Sequence, residues 1–129
     1  MAKIIISTKK SPSAIGPYSQ AVKVVGGMTF TSGQIPLDPI TGNIVSDNFK
    51  DQAIQTLKNI EGIINERHCE LSDIVKLTVY LVDLSNFDIL NQIFKEFFES
   101  TYPARSVVQV SKLPKDSQIE IEAIFNDEN

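Results

Sequence analysis

The sequence predicts an α+β fold in which a single mixed β-sheet carries two helices on one face. Two segments repeat apolar residues at helical spacing, and shorter segments between them alternate or run apolar as strands do. Along the chain the order is a strand, a β-hairpin, a helix, a strand, a second helix and two strands. Each helix joins strands through a connection long enough for a crossover, so one mixed sheet follows. Because two helices cannot cover both faces of a sheet, the other face must meet solvent or another chain.

The composition suits one domain that spans residues 1–129, since 42% of the residues are hydrophobic. The net charge of −4 and the lack of a basic stripe do not favour nucleic-acid binding. No apolar run approaches the length of a membrane span, and the run at the start is too short for a signal peptide. The single cysteine, Cys69, excludes an internal disulfide and fits a reducing cytoplasm. We therefore expect a cytoplasmic protein with no membrane or nucleic-acid partner.

Few catalytic groups are available. The one histidine, His68, stands next to Cys69, and adjacent side chains do not face each other in a helix or a strand. A Cys–His pair is therefore not favoured, and no glycine-rich phosphate loop is present. Carboxylates, arginine, tyrosine, hydroxyls and backbone N–H groups remain.

A short strand and a β-hairpin are predicted at the start of the chain. Residues 4–6 form an isoleucine run that reads as a strand. Residues 21–25 and 28–32 are strand-like and flank Gly26-Gly27, and both glycines tolerate the positive φ of a two-residue hairpin turn.

Two small segments flank this hairpin. Before it, Gly16 allows an unusual backbone angle and Pro17 fixes the next one, so that Tyr18 is aimed from a rigid corner. After it, Gly33 indicates a β-bulge or a close approach of the backbone to a ligand. Ser32 offers a hydroxyl at the same strand end.

The first helix is predicted over residues 47–67. Asp47 or Asn48 can cap its start. Its apolar stripe, at helical spacing, consists of Phe49, Ala53, Leu57, Ile60 and Ile64.

A strand over residues 74–82 precedes the second helix. Ser85 and Asp88 have the spacing of a capping box, and Pro103 prevents the helix from continuing. Asn91 is a polar residue beside the apolar side of this helix. That apolar side consists of Phe87, Leu90, Phe94, Phe97 and Phe98.

Two alternating runs, joined by a loop at residues 113–116, complete the chain. In the first run Ser106, Val108 and Val110 face one way, and Arg105, Val107 and Gln109 face the other. In the second run Ile119, Ile121, Ala123 and Phe125 alternate with Gln118, Glu120 and Glu122. If the Val108 row and the Ile121 row both face the core, Arg105 and Glu120 share the helix-free face.

Arg105 and Glu120 would then combine a permanent cation that grips a carboxylate with a carboxylate that moves protons. A solvated surface pair of little energetic weight is the commoner arrangement of two such residues. The helix-free face would carry Arg105, Val107, Gln109 and Glu120, a row too polar for a second core. This indicates an oligomer that buries sheet faces, with clefts between its subunits.

Several motifs together resemble a known family. They are Pro103-Ala-Arg-Ser106, Leu113-Pro-Lys-Asp116, Ile119-Glu-Ile121, Ile15-Gly-Pro-Tyr-Ser-Gln20, Thr31-Ser-Gly-Gln-Ile-Pro36 and Asp73-Ile-Val-Lys76. In these segments, which cover essentially the whole chain in order, the sequence resembles the YjgF/Rid proteins, specifically the RidA-type 2-iminobutanoate/2-iminopropanoate deaminases.

The resemblance implies a chorismate-mutase-like fold and a homotrimer with active sites in the three clefts between subunits. It implies hydrolysis of reactive enamine and imine acids, such as 2-aminoacrylate and 2-aminocrotonate, to 2-oxo acids and ammonia. No cofactor and no metal are implied. Two other functions stay open: a non-catalytic 2-oxo acid binding or chaperone-like trimer, and a ribonuclease or translation inhibitor, which the acidic balance does not favour.

The resemblance also assigns roles to residues. Arg105 would hold the substrate carboxylate, Glu120 would activate water, and Tyr18 would complete the catalytic set. The remaining family positions around the substrate are Ser32, Gly33, Phe87, Asn91 and Val107. Members of this family commonly carry a cysteine where this chain has Val107, so a thiol mechanism is not expected at that position, although its backbone N–H still binds a carboxylate oxygen.

Overall fold

The protein is described by a computed structural model that covers residues 3–24, 26–99 and 102–128. The predicted order of elements is confirmed, while Val25, the predicted end of the second strand, lies outside the described residues. The strands and helices are β1 (Lys3–Ile6), β2 (Ala21–Val24), β3 (Met28–Thr31), α1 (Phe49–Glu66), β4 (Ile74–Leu81), α2 (Phe87–Phe98), β5 (Ala104–Gln109) and β6 (Ile119–Asn126).

The strands form one mixed sheet of six strands in the order β1-β2-β3-β6-β4-β5. Strands β4 and β5 are parallel, and every other neighbouring pair is antiparallel. A parallel neighbour requires a crossover, which α2 supplies between β4 and β5. Strand β6, the last in the chain, is thereby placed at the centre of the sheet, and β5 becomes an edge.

Both helices pack on the same face of the sheet and share one core with it. The predicted apolar stripe of α1 is confirmed, because residues such as Leu57 and Ile60 are fully buried in that core. The stripe of α2 is confirmed at Leu90, Phe94 and Phe98, whereas Phe87 remains 37% exposed. The sheet contributes the buried rows Leu77, Val79 and Leu81 of β4 and Ile119, Ile121 and Phe125 of β6. No helix among the described residues has both the length and the apolar character needed to cross a bilayer.

The caps of the two helices differ from each other. Of the two residues predicted to cap α1, Asn48 does so, because its side chain accepts a hydrogen bond from the Asp51 N–H. The capping box predicted at Ser85 and Asp88 is wrong. Asp83 accepts the Ser85 N–H at 2.9 Å and starts a 3₁₀ turn, and α2 begins afterwards without a side-chain cap.

The predicted orientation of β5 is also wrong. Arg105 pairs with Leu77 and Val107 with Val79, and both β4 residues are fully buried on the helix side. Paired residues on neighbouring strands point to the same face, so Arg105, Val107 and Gln109 face the helices. Glu120 pairs with Tyr80 and therefore lies on the helix-free face. That face is formed by Val22, Phe30, Thr78, Tyr80, Ser106, Val108, Glu120, Glu122 and Ile124.

Candidate active site

Glu120 lines a cavity of about 330 Å³, which we call the Glu120 cavity. Tyr18, Ser32, Gly33 and Lys115 share its wall with Glu120. Four of the predicted site residues are therefore brought together. Lys115, which sequence analysis did not single out, joins them from the loop before β6, where its φ of 57° lies in the left-handed region.

A β-bulge brings the backbone of Gly33 against Glu120. Phe30 pairs with Ile124 and Gln34 pairs with Ile121. Between these two pairs, the segment that contains Gly33 has one residue more than the facing segment of β6. The Ala123 N–H that faces this bulge donates to Thr31 Oγ1 at 3.0 Å. A Cβ placed on Gly33 would overlap the Glu120 carboxylate. The predicted bulge is confirmed, and the close approach at Gly33 is made by the side chain of Glu120.

The Glu120 carboxyl is partly buried, and this burial raises its pKa above the ordinary value. The nearby charge of Glu122 raises this pKa further. Among the described residues, no hydrogen-bond donor reaches the Glu120 carboxylate. A carboxyl with a raised pKa is a better proton acceptor and donor near neutral pH than an ordinary glutamate.

The corner that carries Tyr18 is closed by a backbone hydrogen bond. The Tyr18 N–H donates to the Gly16 carbonyl at 2.9 Å, and Gly16 has no positive φ, so the unusual angle predicted there is not used. Tyr18 remains about half exposed, at 48%. Ser32 donates its hydroxyl to the Ser19 carbonyl at 2.5 Å, which leaves the lone pairs of its oxygen as acceptors.

Gln20 fixes the whole segment before this corner, and sequence analysis missed it. Its side-chain amide is buried and donates to the carbonyls of Thr8 and Pro12 at 3.0 and 2.6 Å. Its Oε1 accepts the Thr8 N–H at 2.6 Å. Such bonds span up to 12 residues, so no local pattern reveals them. A polar residue directly before β2 is the signal that the sequence offers.

Arg105 lines a second cavity, of about 400 Å³, which we call the Arg105 cavity. Its Nη2 donates to Asn91 Oδ1 at 3.0 Å. Its guanidinium carbon lies 5.4 Å from the ring centroid of Phe87 and 4.9 Å from that of Phe94, both within cation–π range. Two residues predicted to contact the substrate, Phe87 and Asn91, thus contact Arg105 itself.

The guanidinium keeps donors for a ligand. One N–H is directed at Asn91, and the planar group carries five in all. Burial lowers the pKa of Arg105, but an arginine starts so far above neutrality that it stays charged. A desolvated cation held between two rings and an amide is well suited to a carboxylate.

Val107 places a backbone donor near this cation. The Val110 N–H donates to the Leu81 carbonyl at 2.8 Å, and N–H groups alternate in direction along a strand. The N–H groups of Arg105 and Val107 therefore point away from β4, toward the open edge of the sheet. The Val107 side chain packs against the core.

Within one chain, these two cavities are separate. Arg105 and Glu120 lie on strands on either side of β4 and project from opposite faces of the sheet. One small ligand cannot touch both in a single chain. The chain therefore carries two half-sites, one suited to binding an anion and one suited to moving a proton.

A mixed sheet with two helices, a cavity lined by a carboxylate and a cavity lined by an arginine define a small α+β protein with two candidate sites for small ligands. The chain belongs to the YjgF/Rid family, whose family profile is described as Endoribonuclease L-PSP and matches residues 8–126. This confirms the family that the sequence motifs predicted.

The names of similar proteins indicate the reaction that members of this family catalyse. The chain is 49% identical to a putative reactive intermediate deaminase, TdcF, from Escherichia coli, over 95% of each chain. It is 48% identical to the human 2-iminobutanoate/2-iminopropanoate deaminase, over 93% of this chain and 87% of the relative. The crystal structure of Escherichia coli TdcF with bound serine superposes with a TM-score of 0.89 at 46% identity, over 95% and 98% of the two chains. The deaminase reaction is thus supported at the level of the family.

Proposed function

We propose that this protein hydrolyses reactive enamine and imine acids to 2-oxo acids and ammonia, without a cofactor. The observation that carries the proposal is the Glu120 cavity, where a partly buried carboxyl with a raised pKa lies against the Gly33 backbone. One relative at nearly half identity is named a putative reactive intermediate deaminase, and another is named a 2-iminobutanoate/2-iminopropanoate deaminase. The single thiol, Cys69, is compatible with work in a reducing cytoplasm.

The working site is proposed to form between two chains of a homotrimer. Arg105 and Glu120 project from opposite faces, so a second copy must supply one of them. The helix-free face is suited to such a contact, because Phe30 and Val108 remain 44% and 43% exposed on it. In a ring of three copies each contact joins one Arg105 cavity to one Glu120 cavity, which gives three equivalent sites.

Arg105 binds the substrate carboxylate in this site. Asn91 and the two phenylalanine rings hold the guanidinium in place, so its free N–H groups can form the paired bonds that carboxylates favour. The Val107 N–H, on the same open edge, adds a further donor. Binding through the carboxylate leaves the imine carbon free to face the partner's Glu120 cavity.

Glu120 then moves one proton in each direction. It takes a proton from a water molecule while the water oxygen bonds to the imine carbon and the imine nitrogen, already protonated, becomes an amine. It returns that proton to the amine, the C–N bond breaks, and ammonia leaves. The remaining hydroxyl gives its proton to a water molecule as it becomes the carbonyl of the 2-oxo acid, and Glu120 is left as the carboxylate that began the cycle. Tyr18 and Ser32 lie on the same cavity wall, where they orient substrate and water.

A second candidate is a binding protein for small acids without turnover. The crystal structure of Escherichia coli TdcF with bound serine favours this alternative, because there a relative holds an amino acid as a ligand. The two functions differ in their need for Glu120, since binding needs Arg105 but no base.

An assay of ammonia release, on 2-aminoacrylate generated in place by a dehydratase, separates them. The protein is expected to release ammonia faster than the solvent does, and Glu120→Gln is expected to lose about 10²–10⁴-fold in turnover. Calorimetry should show that Glu120→Gln still binds pyruvate, because the Arg105 cavity is intact. Full activity in Glu120→Gln would rule out Glu120 as the base. Loss of both binding and turnover would mean that Glu120 supports the shape of the cavity instead.

A further inference from the structure

A second glutamate, Glu122, lies beside Glu120 on the helix-free face. The two are separated by one residue of β6, so their Cα atoms are about 6.6 Å apart along the strand. Tyr80 is the cross-strand neighbour of Glu120, and its hydroxyl donates to Glu122 Oε1 at 2.7 Å. The function proposed above makes no use of Tyr80 or Glu122.

The two carboxylates have different surroundings. Glu122 accepts the hydrogen bond from the Tyr80 hydroxyl, which fixes the position of its carboxyl group. Glu120 receives no such donor in the described part of the chain, and burial and then the Glu122 charge raise its pKa. The pKa of Tyr80 is raised too, first by its hydrogen bond to Glu122, so Tyr80 keeps its proton and remains a donor. Glu120 is therefore the carboxyl of this pair whose proton affinity is raised by burial and by a neighbouring charge.

Few other charged or titratable groups face this pair. Lys76 lies on β4 on the same face, two residues from Thr78, the cross-strand partner of Glu122. Lys115 and Tyr18 line the Glu120 cavity. Neither glutamate forms an ion pair among the described residues, so the Tyr80 hydroxyl is the direct partner that distinguishes them.

We propose that Tyr80 and Glu122 are positioning residues for Glu120: the Tyr80 hydroxyl holds the Glu122 carboxyl group beside Glu120, and this neighbour makes Glu120 the carboxylate that exchanges protons with the substrate. This inference rests on the proposed function for its catalytic consequence, but the coupling of the two carboxylates stands without it. Neither Tyr80 nor Glu122 is required to touch the substrate.

Removal of the Glu122 charge has a defined direction. Glu122→Gln keeps the size of the side chain and removes the repulsion, so Glu120 should titrate at a lower pH than in the unmodified protein. Tyr80→Phe should shift the titration of Glu120 in the same direction by less, because Glu122 then loses the hydroxyl that holds it beside Glu120. A weaker base lowers kcat, while KM should not change, since Arg105 binds the substrate.

The experiment applies two methods to four proteins. Carboxyl NMR follows the titration of Glu120, and ammonia release gives kcat and KM as functions of pH. The proteins are the unmodified chain, Glu122→Gln, Tyr80→Phe and, as a control, Glu128→Gln, which removes one exposed carboxylate just after β6. A lower titration point of Glu120, together with an acidic limb of the kcat profile displaced to lower pH, is expected in the first two variants and absent in the control.

The outcomes distinguish a failure of this inference from a failure of the proposed deaminase function. An unchanged titration of Glu120 in Glu122→Gln overturns the inference whatever the activity. A shifted titration with an unchanged kcat profile shows coupling without a positioning role, and also overturns it. If the unmodified protein releases no ammonia, the proposed deaminase fails, and the NMR titration still tests whether Tyr80 and Glu122 set the proton affinity of Glu120.

Discussion

Arg105 and Glu120 project from opposite faces of the sheet, although β5 and β6 both flank β4. The surroundings of Arg105 suit the binding of an anion, and those of Glu120 suit the transfer of a proton. Arg105 has two aromatic rings and an amide, and Glu120 has a partly buried cavity with a raised pKa. A site that needs both residues must therefore draw them from two copies of the chain.

Mixed oligomers test this arrangement directly. Arg105→Ala and Glu120→Gln should each be inactive alone. When the two variants are unfolded, mixed in equal amounts and refolded, about one quarter of the interfaces should combine an intact Arg105 with an intact Glu120, by random assortment of copies. Ammonia release should then recover to about a quarter of the value for the unmodified protein.

The control for that recovery is refolding of each variant by itself. Either variant alone should remain inactive, because none of its interfaces contains both intact residues. If the mixture also stays inactive while it still assembles, both residues act within one chain or not at all, and the site between chains is excluded.

The same pair of residues marks the limit of what the sequence predicts. The helices and the central strands can be predicted from the spacing of apolar residues alone, because residues such as Leu57 recur at helical spacing and residues such as Ile121 at alternating positions. Strand β5 has valine in both of its rows, so its pattern does not say which row is buried. What turns Arg105 to the helix side is its contact with Phe87 and Phe94, on a helix 11 or more residues earlier in the chain. The Tyr80–Glu122 hydrogen bond joins residues that are 42 positions apart, so no local sequence pattern predicts it either.

Asn91 should affect binding of the substrate more than its conversion. Asn91→Ala removes the acceptor that holds Arg105 Nη2, and one such hydrogen bond contributes about 0.5–1.5 kcal/mol. We therefore expect the Kd for pyruvate and the KM to rise about 2- to 12-fold, with kcat nearly unchanged. Calorimetry and ammonia release measure the two effects.

Gln92→Ala is the matched control for Asn91. Gln92 is exposed on the same helix. Among the described residues, its side-chain amide forms a hydrogen bond only with Glu96, to which it donates at 3.2 Å. Its loss should leave Kd and KM within error of the unmodified protein. An Asn91→Ala protein that binds pyruvate normally would show that the two phenylalanine rings suffice to hold Arg105.

Asp127 should make the stability of the fold depend on pH. Its fully buried carboxylate lies 2.7 Å from Arg67 Nε and 3.6 Å from Lys23 Nζ, and it accepts the Thr29 hydroxyl at 3.0 Å. Burial raises its pKa, but the bonds from Arg67 and Thr29 and the charges of Arg67 and Lys23 together lower it below the ordinary value. The charged form is therefore favoured more in the folded chain than in the unfolded one.

A lowered pKa in the folded state contributes stability above the unfolded value of about 3.9, and this contribution is lost as the pH falls through the folded value. Asp127→Asn removes the charge and should lower the free energy of unfolding at pH 7 by about 1.5–3 kcal/mol, the range for hydrogen bonds to charged groups. The difference between the two proteins should narrow as the pH falls below about 4, because the unmodified carboxyl then becomes protonated as well. Urea unfolding from pH 7 to pH 2.5 follows this convergence.

Asp47→Asn, at an exposed position, is the control and should change the free energy of unfolding by no more than about 0.5 kcal/mol at any pH. A gap between Asp127→Asn and the unmodified protein that stays constant down to pH 2.5 would mean that the side chain stabilises the fold through its shape and not through its charge.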